Sequence, residues 1–247
     1  MPHEFEVREE IELDATPEQV WEAITAGPGI DSWFMGRNEI EPRVGGTART
    51  ALPGFTMEAT VTAWEPGRRA AWRGEESPDG AFMAFEYLVE ARGGGTSVLR
   101  FVHNGFLGDD WEAEYEALKV GDRMYLEMLA RYLRHFRGRT ATANVFLPGP
   151  VTDTERAYAA FGAALGLPRP ARDGDAVRLS VDGLPATEGV VEFATPTSVG
   201  ARTSDSLLLF QHGYQDTVVV QQHSFAPAAD EKEIERAWQG WLERSFG

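Results

Sequence analysis

Apolar residues recur at steps of three and four between positions 109 and 136: Trp111, Tyr115, Leu118, Tyr125, Met128, Leu129, Tyr132 and Phe136. One stripe of a long helix is therefore apolar. Glu112, Glu116, Lys119, Arg123, Glu127 and Arg131 fall on the opposite face, with Glu127 four residues ahead of Arg131 in the order that favours a helix-surface pair. Asp109 and Asp110 suit the positive end of the helix dipole, and Arg134, His135 and Arg137 followed by Gly138 mark the other end. Gly121 interrupts the stripe at a cost of about 1 kcal/mol relative to alanine. Either the helix bends there or something packs close against its backbone.

Before this helix the pattern is that of sheet. Phe5, Val7, Ile11 and Leu13 alternate with charged residues, the period of a half-buried strand. Thr16-Pro17-Glu18-Gln19 then combines an N-cap, a proline at the first helical position and a glutamine able to reach back, so a helix starts there and carries Val20, Trp21 and Ile24 inward. Gly27-Pro28-Gly29 breaks that helix, and residues 30–34 form a further short helical turn ending in Trp33-Phe34. From 39 to 104, turn signals at Gly45-Gly46, Pro53-Gly54, Pro66-Gly67, Pro78-Asp79-Gly80 and Gly93-Gly94-Gly95 punctuate an antiparallel meander. Within it Met57, Ala59, Val61 and Ala63 share parity, as do Met83, Phe85, Tyr87 and Val89, and Leu99, Phe101 and His103. These odd-numbered sets predict the face that meets the long helix. The order strand, two short helices, meander, long helix predicts an α+β fold in which a curved antiparallel sheet wraps around the helix.

Residues 141–247 repeat that order in shorter form. Strand-like 141–147 precedes a helix capped by Thr152 with Glu155, bearing Ala157, Tyr158, Phe161 and Leu165 and stopping at Gly166. A linker at 168–174 leads into strand-like runs at 176–181, 189–194, 199–202, 206–211 and 217–225. Asp230 with Glu233 opens a last helix with Ile234, Trp238, Trp241 and Leu242 on one stripe. This half reads as a divergent copy lacking the second short helix and a strand or so; the alternative is an appendage completing one large domain.

The runs Thr16-Pro17-Glu18-Gln19-Val20-Trp21-Glu22-Ala23-Ile24, Trp33-Phe34, Gly45-Gly46 and Gly95-Thr96-Ser97-Val98-Leu99-Arg100-Phe101-Val102-His103-Asn104-Gly105-Phe106, in this order, resemble the START-like (SRPBCC) helix-grip superfamily. More narrowly they resemble its bacterial branch related to the activator of the ninety-kilodalton heat-shock protein ATPase. The resemblance covers about residues 4–137. It implies a helix-grip domain over 1–140, followed by a shortened helix-grip-like domain over 141–247. It also implies a cavity for a small hydrophobic ligand between sheet and long helix. Elsewhere the superfamily includes cyclases and hydrolases. A chaperone contact in a stress response is the third implication, but the chain begins directly at the helix-grip domain, without the activating domain and its asparagine- and tryptophan-rich motif, which makes ATPase stimulation doubtful.

The chain has 247 residues, 43% of them hydrophobic, enough to bury real cores. Its formal charge of -16 divides into -10 for 1–140 and -6 for 141–247, which disfavours nucleic acid and anionic membrane surfaces as partners. With no cysteine, disulfides, thiolate catalysis and Cys-ligated zinc are excluded, and a reducing compartment fits. The glutamate-rich start is no signal peptide and no run spans a bilayer, so a cytoplasmic protein is expected. Whether the halves pair with each other or across a homodimer stays open.

His103 is the candidate for chemistry, as a polar hook or general base in the cavity with Tyr87 or Tyr125 as partner in an acid–base pair. A plain core histidine is the competing reading, favoured because no carboxylate of matching parity stands out to orient it. Trp33, Phe55, Met57, Met83, Phe85, Tyr87, Phe101, His103, Met124 and Met128 are expected around the ligand. His212 and His223 lack a third ligand, so no metal is expected. The acidic cluster of Asp109, Asp110, Glu112, Glu114 and Glu116 reads as a solvated helix start. No Walker loop, dinucleotide fingerprint, nucleophile elbow or zinc motif occurs, and no cofactor is expected.

Overall fold

In the computed structural model, which describes residues 2–247, the alternating segment at the start forms β1 (His3–Leu13), with Phe5, Val7, Ile11 and Leu13 buried. Helix α1 (Pro17–Thr25) begins with the reciprocal cap its sequence encodes: the Thr16 hydroxyl accepts from the Gln19 amide, and the Gln19 side-chain carbonyl accepts from the Thr16 amide at 2.9 Å. Val20 and Ile24 are buried, while Trp21 is half-buried edge-on to Trp64, 5.2 Å between centroids. Gly27-Pro28-Gly29 does not separate two helices as expected. It opens the second one, α2 (Gly27–Ile30), because proline is suited to a first helical turn. A Cβ at Gly27 would lie 2.3 Å from the Asn38 carbonyl oxygen, and one at Gly29 2.4 Å from that of Glu22, so only glycine lets the chain fold back this tightly.

The meander follows as β2 (Arg37–Ile40), β3 (Thr47–Leu52), β4 (Phe55–Glu65), β5 (Arg69–Gly74), β6 (Phe82–Arg92) and β7 (Thr96–Leu107), and then α3 (Trp111–His135). The first strand closes on the last, giving a seven-stranded antiparallel sheet in the order β1-β7-β6-β5-β4-β3-β2. Its register aligns Val7, His103, Phe85, Trp72 and Val61 in one row across five strands, so these side chains share the inner face. Parity does not hold to the end of β4. A register shift between Val61 and Ala63 removes Ala63 from that face, and Trp64, opposite the fully buried Ala70, takes the inward place.

Helix α3 packs Trp111, Tyr115 and Leu118 against Phe5, Val7 and Leu107 of the outer two strands. His3 stacks on Trp111 at 4.8 Å, Arg123 reaches Glu9 at 3.3 Å, and Glu127 pairs with Arg131 at 3.1 Å. The helix passes Gly121 without leaving helical geometry, and a Cβ there would meet nothing within 4 Å. No close packing explains this glycine. Open space lies beside it, on the stripe of Tyr125 and Met128.

The chain divides into two compact units, Met1–Thr140 and Ala141–Gly247. The second contains β8 (Ala143–Val151), α4 (Thr154–Ala164), β9 (Ala176–Leu179), β10 (Thr187–Ala194), β11 (Ser198–Thr203), β12 (Ser206–His212), β13 (Thr217–Ser224) and α5 (Glu231–Phe246). Its sheet order, β8-β13-β12-β11-β10-β9, is that of the first sheet with one strand fewer. Asp153, and not Thr152, caps α4 by accepting from the Arg156 amide at 2.8 Å. Under α5 the space is filled: Phe161, Phe210 and Trp238 are at most 1% exposed, and the Trp238 indole donates to Gln222 at 2.7 Å. Among the described residues no helix is long and apolar enough to cross a membrane.

The open surroundings of Gly121 yield a stability prediction. Gly121→Ala removes the glycine penalty without a clash, so it raises unfolding free energy by about 1 kcal/mol in denaturant titration. A loss of stability contradicts the packing described.

Candidate functional site

His103 lies in the middle of β7 between Val7 of β1 and Phe85 of β6, and it is 2% exposed. Its ring stacks on Phe85 at 4.2 Å between centroids and meets Phe5 edge-on at 5.1 Å. Phe101, two residues back on the same strand face, is 6.2 Å away. Into this aromatic setting α3 inserts a carboxylate: Asp122 Oδ2 lies 3.0 Å from His103 Nδ1, with Oδ1 at 3.3 Å. The other ring nitrogen, Nε2, is buried and has no hydrogen-bond partner. Buried polar atoms are paired in the great majority of cases, and leaving one unpaired costs about 1–3 kcal/mol.

The expectation that no carboxylate orients His103 is overturned by Asp122. The partner comes from the helix, where strand parity gives no information. A signal was present in the chain: Asp122 follows Leu118 by four and precedes Leu126 by four, so it is an acid inside the apolar stripe. A side chain of that kind needs a partner across the interface.

The remaining expected wall residues are distributed unevenly. Tyr87, Phe101, Met124 and Met128 are buried, and Met83 and Phe85 keep part of their surface, as does Trp72 beside Phe85. Trp33 is buried with its indole donating to the Ala23 carbonyl at 2.9 Å, which anchors α1; its neighbour Phe34 instead turns to Tyr125, 4.6 Å away. Phe55 and Met57 are not enclosed. They are 57% and 42% exposed on the hairpin of β3 and β4, because parity sets which face a residue occupies but not whether anything covers it. A depression of about 540 Å³ lined by Glu4, Phe5, Glu6, Phe82, Asn104, Gly105 and Phe106 lies mainly on the opposite face of the same strands and lacks a histidine–carboxylate pair. His212 and His223 occupy opposite faces of the second sheet; the former contacts the Thr152 carbonyl oxygen at 2.8 Å and the latter the Gln221 amide at 2.8 Å.

Burial pushes the Tyr87 and Tyr125 hydroxyls far above the ordinary tyrosine range, and the charge of Asp122 adds to the rise at Tyr87. Both remain protonated at neutral pH, so neither acts as a base.

A family model described as polyketide cyclase / dehydrase and lipid transport matches residues 4–142, more than half of the chain. The chain belongs to that family. The matched span contains β1 to α3 entire, and so the whole of the His103 site. No curated protein matches it. Among solved structures, protein MLL2253 from Mesorhizobium loti is 23% identical with a TM-score of 0.47, over 53% of this chain and 97% of that one. The Aha1 dimer from Colwellia psychrerythraea is 21% identical with a TM-score of 0.43, over 52% and 96%. The di-domain ARO/CYC protein BexL of the BE-7585A biosynthetic pathway is 13% identical with a TM-score of 0.47, over 98% of both chains. Likeness at these levels says nothing of activity.

Tyr87, which is buried, and Tyr125, which is half-buried, give a pH prediction. A hydroxyl whose pKa is raised by folding holds its proton more tightly in the folded state, so its contribution to stability is intact below the unfolded value of about 10 and is lost as pH climbs past it. Denaturant titrations above that pH show a steep fall in stability for the wild type and a shallower one for Tyr87→Phe and Tyr125→Phe. Equal slopes in all three contradict the assigned burial.

Proposed function

We propose that the first unit binds a small, mainly apolar molecule between the inner face of its sheet and α3, over His103. The observation that carries this reading is the buried, unpartnered Nε2 of His103 among aromatic side chains. Sites for small molecules combine apolar walls with a few placed polar groups, and a polar atom bound at Nε2 would recover the free energy that an unpaired buried nitrogen forgoes. The open space at Gly121, the residue before Asp122, and the partly exposed Met83, Phe85 and Trp72 support a route for entry. The family's description, which speaks of polyketides and lipids, supports the same ligand class. The net charge of -16 weighs against a strongly anionic ligand.

A second reading is favoured by the Asp122–His103 pair itself. A carboxylate that orients an imidazole is how enzymes hold a general base, so the same cleft would suit proton abstraction from a bound molecule in a cyclase- or hydrolase-type reaction. Tyr87 and Tyr125, held protonated, would then serve as hydrogen-bond donors only.

Fluorescence titration with the neutral probe N-phenyl-1-naphthylamine tests the binding reading. The wild type gives saturable enhancement, and Gly121→Trp, whose side chain fills the open space beside α3, weakens it about tenfold or more while unfolding as cooperatively as the wild type. Absence of saturable enhancement, or equal binding by the folded variant, contradicts the proposed location.

A further inference from the structure

We propose that Asp122 fixes the tautomer of His103 and thereby makes this site select ligands that offer an O–H or N–H over matched ligands that offer only acceptors. The inference rests on binding over His103 as proposed above and adds the chemistry by which the ligand is chosen.

A carboxylate accepts hydrogen bonds and cannot donate one, so with Asp122 at 3.0 Å the ring proton of neutral His103 sits on Nδ1. Nε2 then presents a lone pair. Nothing in the protein donates to it, and the rings packed around it, Phe5, Phe85 and Phe101, have no donor to give. The missing hydrogen has to come from the ligand: a phenol, an enol, an alcohol or an amine N–H. An ether or carbonyl oxygen in the same place would set lone pair against lone pair and leave Nε2 unsatisfied. Discrimination of this kind is far stronger than that from shape alone, because a buried polar group punishes the ligand that leaves it unpaired. Asp122 is thus a positioning residue, acting on the ligand through His103.

Isothermal titration with 1-naphthol and 1-methoxynaphthalene, which share their apolar body, tests the proposal. The wild type binds 1-naphthol about tenfold or more tightly. Asp122→Leu removes the acceptor that holds the ring proton on Nδ1, so His103 can present either a lone pair or an N–H at Nε2 and the preference falls toward unity. His103→Phe abolishes it. Equal wild-type affinities overturn the proposal whether or not any variant folds, as does a preference unchanged in folded Asp122→Leu; both results leave binding in place. Failure of the wild type to bind either probe overturns the binding reading as well.

Discussion

The hydrogen bond between the His103 imidazole and the Asp122 carboxylate ties the middle of β7 to the middle of α3, and it is the constraint on which the candidate site depends. On one side of it Trp111, Tyr115 and Leu118 seal the helix onto β1 and β7; on the other, Met124, Leu126, Met128 and Leu129 enter the core. Two polar groups in such a setting are costly unless they satisfy each other, and a broken pair is worse than none. One imidazole nitrogen is satisfied and the other is not. That asymmetry turns a structural contact into a chemical one.

The second unit shows what the same strand order looks like when the interior is closed. Its six-stranded sheet follows the order of the first with one strand removed, and its last helix, α5, is 16 residues long against 25 for α3. Phe161, Phe210, Trp238 and Trp241 occupy the space beneath α5, and the one polar atom of Trp238 is paired with Gln222. In the first unit the helix instead carries a glycine with open space beside it and an acid where a leucine would continue the stripe. Aromatic side chains fill the space under α5, whereas no atom lies within 4 Å of where a side chain at Gly121 would begin.

Much of the architecture was legible because it rests on local rules. The caps at Thr16 and Asp230, the period of α3 and the alternation of β1 and β7 each follow from a few adjacent residues, and the elements appear where those residues place them. What was not legible depended on partners distant in sequence. The bulge after Val61 that swaps Ala63 for Trp64 is set by pairing with β5, and the exposure of Phe55 and Met57 is set by how far the rest of the unit extends over their hairpin. Asp122 is the instructive case. Strand parity carries information about the sheet alone, whereas the partner of His103 comes from the helix, marked in the chain only by an acid out of place in an apolar stripe.

The state of His103 is open to direct observation. Long-range proton–nitrogen correlation spectra of the ligand-free protein at neutral pH report which imidazole nitrogen carries the proton. The expected spectrum of the wild type shows the His103 ring protonated at Nδ1 with Nε2 bare, and Asp122→Leu, which takes the acceptor away, removes the bias toward Nδ1. A wild-type ring protonated at Nε2 would contradict it.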